Sequence, residues 1–311
     1  METNSFTTIM SGIQKATDQV IQETVKQADA LIHNLMQSTE MKLNDFITDF
    51  KTKKGFVLEV KINDREPQKL TAHAAPFLER MIVNAKLGLN TLLVGPAGCG
   101  KTFAASQLAE VMELTFGHLN LTAGASETWL FGRQTPSGFV NGIFAELYEN
   151  GGVFLADEID AADPNLLLSI NTAISSDSFY NPMNGRMLKR NKDFVFLGAA
   201  NTYGKGGTST YNGRSRLDFA TLDRFVIIDV NYDEAIEEIL CPNKKMRGIF
   251  WEVRKELTSI KAEEVLSSRC LRNAYLQHEA GTPFKTILES ITASWPKDLK
   301  KTFVKHAKDF K

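Results

Sequence analysis

The run Gly95-Pro96-Ala97-Gly98-Cys99-Gly100-Lys101-Thr102 fits the spacing G-x-x-x-x-G-K-[ST]. Glycines at these positions let backbone N–H groups curl around phosphate oxygens. A helix starting at the same point aims its N-terminal dipole at the same charge. Lys101 reaches for the β- and γ-phosphates, and the Thr102 hydroxyl suits a Mg²⁺ ion. The flanks agree: apolar Thr91–Val94 reads as a strand, and Phe103-Ala104-Ala105 opens a helical pattern. Cys99 reads as a filler within the loop. The chemistry implied is binding of a nucleoside triphosphate, taken as ATP with Mg²⁺.

Two further strand tips carry matching groups. Val153-Phe154-Leu155-Ala156 ends in Asp157-Glu158. Ligands in open α/β sheets bind at the carboxyl ends of strands. Asp157 there suits the Mg²⁺ shell, and Glu158 suits a base that polarises water. Phe194-Val195-Phe196-Leu197-Gly198-Ala199-Ala200 ends in Asn201, an amide able to orient water near the γ-phosphate. Two carboxylates on one tip favour hydrolysis over a small-molecule kinase.

Positioning these tips side by side needs a sheet. Expected strands are Thr91–Val94, His118–Leu121, Val153–Ala156, Phe194–Ala199 and Phe225–Val230, separated by helical stretches. That alternation predicts a five-stranded parallel sheet with helices on both faces, an α/β fold. Phe56–Ile62 alternates like a strand, Asn63-Asp64 like a turn, and residues 73–86 like a helix. After Tyr232 the pattern is helical. The expected division is a helical arm over 1–54, an α/β nucleotide-binding domain over 55–232 and a helical lid over 233–311. In the arm, Ile21, Val25, Ala28, Ile32 and Leu35 recur at helical spacing. That apolar stripe suits assembly or partner docking.

Bulk properties exclude several classes. Of 311 residues, 43% are hydrophobic and 23% charged, as in an ordinary globular protein. Thirty-six Lys+Arg against 37 Asp+Glu give no global polybasic signal for nucleic acid. Cys99, Cys241 and Cys270 form neither a CxxC nor a zinc-type cluster. The longest apolar runs, such as Phe225–Ile228, fall far short of the roughly 20 residues of a membrane helix. Met1-Glu2-Thr3-Asn4 opens no signal-like pattern. A reducing, cytoplasmic setting without membrane contact is expected.

From about Thr71 to the region of Ser290 the chain resembles the AAA+ ATPases, and within them the MoxR/CobS-like branch. Ser126-Glu127-Thr128-Trp129-Leu130-Phe131-Gly132 is similar to that branch's signature at the second helix. Arg133–Gly142 resembles the small hairpin inserted there. Asp157-Glu158-Ile159-Asp160 followed by Pro164-Asn165-Leu166-Leu167 resembles the family's acidic strand and following helix. Asn184-Gly185 suits a two-residue hairpin turn. The resemblance implies that this hairpin faces a ring pore. Arg186, Lys189, Arg190 and Lys192 make it basic.

Thr221-Leu222-Asp223-Arg224-Phe225 resembles the box whose arginine acts in the neighbouring subunit's site. The resemblance assigns Arg224 that role, with Arg214 and Arg216 as runners-up. Leu266-Ser267-Ser268-Arg269-Cys270-Leu271-Arg272 resembles the lid element that brings an arginine, here Arg269, to the γ-phosphate of its own subunit. Thr202–Arg216, polar and glycine-rich, reads as a mobile loop.

The function implied is ATP hydrolysis at subunit interfaces of a homo-oligomeric ring, a hexamer, acting on a partner protein. The alternative is a nucleic-acid-stimulated motor or loader, supported by the basic hairpin and by Lys297, Lys300, Lys301, Lys305, Lys308 and Lys311 in the tail.

Overall fold

The computed structural model describes the strand pair at 59–60 and 68–69 and residues 74–310, except 123, 208, 209, 212 and 309. The expected arm over 1–54 and the turn at Asn63-Asp64 lie outside the described residues. Residues 57–311 form one compact unit. It opens with β1 (Glu59–Val60) paired antiparallel to β2 (Gln68–Lys69), then α1 (Leu78–Lys86).

The main sheet holds β3 (Thr91–Val94), β4 (Phe116–Asn120), β7 (Gly152–Asp157), β10 (Phe194–Ala200) and β11 (Val226–Asp229). Its order is β11-β3-β10-β7-β4, and every pairing is parallel. The sheet is the one expected, with bounds shifted by a residue or two. The short, fully buried runs of β3 and β10 match strands covered on both faces. Between the strands lie α2 (Lys101–Met112), α3 (Glu127–Phe131), α4 (Ile143–Asn150), a 3₁₀ turn (Ile159–Ala161), α5 (Pro164–Ile174) and α6 (Phe219–Leu222).

Register decides what meets at the carboxyl edge. Ala200 sits opposite Val94, and Gly198 opposite Ala156. Gly95 N–H then donates to Ala200 O at 3.1 Å. Asn201 therefore emerges between the phosphate loop and Asp157. Strand order, not sequence proximity, brings the three tips together.

Two hairpins project from this body. One is β5 (Arg133–Thr135) with β6 (Gly138–Val140), between α3 and α4 as expected. It is anchored by Phe131 and Phe144, both fully buried in an aromatic cluster with Tyr148, Phe154, Phe179 and Phe196. Burying each such ring contributes about 1.5–3 kcal/mol. The other is β8 (Ser178–Asn181) with β9 (Arg186–Lys189). Its turn is longer than the expected two residues, because the last pair is Asn181 with Arg186. The buried Asn181 side chain explains the difference: Nδ2 donates to Phe131 O, and Oδ1 accepts from Met183 N–H, both at 2.9 Å. That commits the chain to a four-residue turn through Pro182.

The remainder is helical: α7 (Glu234–Leu240), α8 (Lys244–Ser259), α9 (Ser268–Glu279), α10 (Phe284–Ile291) and α11 (Lys297–Ala307). Side-chain caps start three of these helices. Asp233 accepts from Ala235 and Ile236 N–H, Asn243 from Met246 N–H, and Ser267 from Cys270 N–H. Each cap is worth about 1 kcal/mol. The helices share a second core of Met246, Phe250, Val253, Leu271, Ile287 and Phe303. Among the described residues, no helix is long and apolar enough to cross a membrane.

Candidate active site

The loop after β3 turns sharply because of Gly95. A Cβ there would lie 1.9 Å from Val230 O, so only glycine lets the loop pass β11. Gly98 at the loop apex has φ +70°, and a Cβ on it would meet Ser267 Cβ at 2.8 Å. This glycine therefore serves both the left-handed turn and the close approach of α9. The result is a cleft of about 510 Å³ between the sheet edge and the C-terminal helices, lined by Ala97–Phe103, Asp157, Glu158, Asn201, Asp233, Ile236, Ile239, Leu240, Ser268, Arg269 and Arg272.

Lys101 is buried at the cleft floor. Its ammonium donates to Gly95 O at 2.7 Å, Pro96 O at 3.1 Å and Asn201 Oδ1 at 3.0 Å. Burial holds its pKa below the usual lysine value, opposed by Cys99, Asp157 and Asp160. Burial likewise raises the Cys99 thiol, which makes it a poor nucleophile. Thr102 Oγ1 donates to Asp157 Oδ2 at 3.0 Å, while Asp157 Oδ1 accepts from Glu158 N–H at 2.9 Å. A hydroxyl and a carboxylate side by side are hard oxygen ligands of the kind Mg²⁺ takes. Glu158 adopts a left-handed backbone, φ 54°, at the cleft edge.

Asp160, with no exposed side chain, ties the tips together. Its Oδ2 accepts from Asn201 N–H at 3.1 Å, Thr202 N–H at 3.0 Å and Thr202 Oγ1 at 2.9 Å. The phosphate loop has two tyrosine partners: Ala97 N–H donates to Tyr211 Oη, and Tyr232 Oη donates to Ala97 O, both at 3.0 Å. Neither tyrosine carries a sequence signal, because spacing says nothing about residues more than 100 positions away. Asp160 lay inside the acidic motif, yet its role depends on the fold of the following 3₁₀ turn.

The cleft thus unites Ala97–Thr102, Asp157, Glu158, Asn201 and Arg269, with Gly95 and Pro96 in the same loop behind Lys101. Arg272, one turn beyond Arg269 on α9, lines it as well. Arg224 stands apart: Nε donates to Ser175 Oγ at 2.7 Å and Nη1 to Ala220 O, outside its own cleft. Arg214, a runner-up for that role, instead pairs within its own chain with Glu158 and Asp160. Arg216 joins Lys205 in an antiparallel bridge.

Residues 90–225 match the family described as AAA domain (dynein-related subfamily). An uncharacterized protein of Staphylococcus aureus (strain USA300) is 27% identical over 206 residues, covering 57% of this chain and 76% of that protein. The uncharacterized protein YojN of Bacillus subtilis (strain 168) is 28% identical over 177 residues, 53% of this chain and 56% of that one. A crystal structure of a candidate ATPase from Cytophaga hutchinsonii is 16% identical with a TM-score of 0.43, covering 73% of this chain and 79% of that one. The matched segment, 90–225, supplies the phosphate loop, Asp157, Glu158, Asn201 and Arg224, and is similar to an AAA domain.

Proposed function

We propose that this chain is a Mg²⁺-dependent ATPase of the MoxR/CobS-like branch of AAA+ proteins. In this reading it works as a homo-oligomeric ring, a hexamer, that remodels or activates a partner protein. The observation that carries the hydrolase reading is the convergence of Lys101, Thr102, Asp157, Glu158 and Asn201 on one cleft, from three strand tips. Thr102 and Asp157 are the residues to hold Mg²⁺, which when bound neutralises charge on the phosphates. The loop Gly95–Thr102 binds the triphosphate through the N–H groups of Gly98–Thr102 and the Lys101 ammonium. Glu158 takes the proton of the attacking water, and Asn201 orients that water. Arg269, and with it the lid over 233–311, closes on the γ-phosphate. Arg224, outside its own cleft, serves the neighbouring subunit's site.

The nucleic-acid alternative gains no support. In the basic hairpin Arg186 is held by Glu149 at 3.0 Å, and Arg190 Nη1 donates to Ile174 O at 3.2 Å. The basic tail is helix α11, with Phe303 buried in the lid core.

The test is phosphate release by the full chain with ATP and Mg²⁺. Lys101→Ala should abolish nucleotide binding. Glu158→Gln should bind ATP and hydrolyse it 10²–10⁴-fold more slowly, the usual contribution of a general base. Affinity capture with Glu158→Gln and ATP then identifies the partner. Phosphate release unchanged in both variants would overturn the hydrolase reading.

A further inference from the structure

We propose that Arg214 is a positioning residue that holds the water-activating Glu158 from within the same subunit. This deepens the hydrolase reading above and rests on it.

Glu158 has φ 54°, a left-handed conformation that costs a residue with a Cβ of order 1–3 kcal/mol and persists only where neighbours fix it. Two neighbours do so. Its N–H is held by Asp157 Oδ1 at 2.9 Å, and its Oε1 accepts from Arg214 Nη2 at 3.3 Å. Among the described residues Oε2 has no hydrogen-bond partner, which leaves one carboxylate oxygen for water.

The other arm of the same guanidinium, Nη1, lies 3.4 Å from Asp160 Oδ1. Asp160 is fully buried, and that oxygen makes no hydrogen bond. A buried carboxylate needs a nearby cation, and Arg214, only 12% exposed, supplies it. The opposite oxygen of Asp160 holds the backbone of Asn201 and Thr202. One planar fork therefore fixes the base on one side and, through Asp160, the Asn201 tip on the other. Ser215 N–H donating to Asp160 O at 2.7 Å seats Arg214 for this grip. A lysine in its place could neutralise Asp160 but could not span both carboxylates.

The experiment uses the whole 311-residue chain and compares Arg214→Lys and Arg214→Ala with Lys101→Ala and Glu158→Gln. For Arg214→Lys we expect unchanged melting temperature and ATP affinity, with kcat lowered about tenfold or more. For Arg214→Ala the expected loss is roughly 10²-fold, the scale of a misplaced reacting group. Because the grip is within one subunit, mixing Arg214→Ala with Lys101→Ala subunits should restore no activity. A wild-type kcat in Arg214→Lys would reduce the residue to charge balance for Asp160 and overturn the proposal. Rescue in mixed oligomers would also overturn it, by showing action on a neighbour. If Lys101→Ala and Glu158→Gln turn over ATP like the wild type, the hydrolase reading itself fails. If those two are impaired and both Arg214 variants are not, the present proposal alone fails.

Discussion

Tyr232, just beyond the last strand, donates its hydroxyl hydrogen to Ala97 O at 3.0 Å, so the entry to the lid is bonded to the phosphate loop. The Tyr232 ring also lies 4.1 Å from the Arg254 guanidinium. Arg254 forks onto Glu237, and Glu237 accepts from Ser268, the residue beside Arg269. Phosphate loop and lid arginine are thus joined by one connected set of side chains. Burial raises the Tyr232 hydroxyl far above the ordinary tyrosine value, so it remains a donor over the whole working pH range.

This contact gives the first prediction. Tyr232→Phe keeps the ring and leaves Ala97 O without its partner. A net loss of about 1 kcal/mol is expected, roughly fivefold in ATP dissociation constant. Calorimetric titration checks it. Unchanged affinity would mean that the bond does not bear on the loop's nucleotide-ready form.

Lys101 gives a pH dependence. Burial lowers its pKa in the nucleotide-free chain, whereas bound phosphates raise it. Below the free-state value both forms hold the proton, and binding is indifferent to pH. Above it, binding takes up a proton, so affinity falls as pH rises. Without nucleotide the sign reverses: the unfolded chain keeps the proton longer than the folded one, and this group adds stability as pH rises towards the normal lysine value. Titrating ATP in two buffers of different ionisation enthalpy should show proton uptake growing on the alkaline side. Lys101→Arg, always charged, should show none.

Most of the main sheet and cleft was legible in the sequence. Chemistry at strand tips is local: a strand's last residue and the turn after it lie within a few positions, so Lys101, Thr102, Asp157, Glu158 and Asn201 could be read from motifs. What joins those tips is not local. The partners Tyr211, Tyr232 and Arg214 come from other segments, and their contacts depend on strand order and register. The β8–β9 turn was misread for the same reason. Asn184-Gly185 favours a two-residue turn, but a buried Asn181 bonded to Phe131, 50 positions away, lengthens it.

Arg224 tests the shared site. Its guanidinium rests on Ser175 and Ala220, outside its own cleft. If it serves the neighbour, Arg224→Ala should bind ATP normally and hydrolyse it about 10³-fold more slowly or worse, the scale of an arginine supplied in trans. Mixing it with Lys101→Ala should restore activity, because some interfaces then pair an intact loop with an intact Arg224. No rescue in confirmed mixed oligomers would argue against the trans assignment. The contrast with Arg214, where rescue is not expected, separates the two arginines in one set of measurements.

The last prediction concerns the lid. Glu237 has no exposed surface and Arg254 very little, and their fork is closed by bonds of 2.6 and 2.8 Å. Cutting one partner leaves a buried charge unpaired, so Glu237→Ala should cost about 3–5 kcal/mol. For a chain of this size that lowers the melting temperature by roughly 5–8 °C. Replacing both charges with apolar residues removes the orphan, so Glu237→Leu with Arg254→Met should recover at least half of the loss. Function should not recover in parallel. The double variant lacks the Ser268 acceptor that seats the start of α9, so Arg269 loses its fixed distance from Gly98. Weakened ATP binding should therefore persist after stability returns. Thermal denaturation with and without ATP measures both quantities at once. A double variant that regains full nucleotide-dependent stabilisation would show that the pair serves the lid's fold alone and not the placement of Arg269.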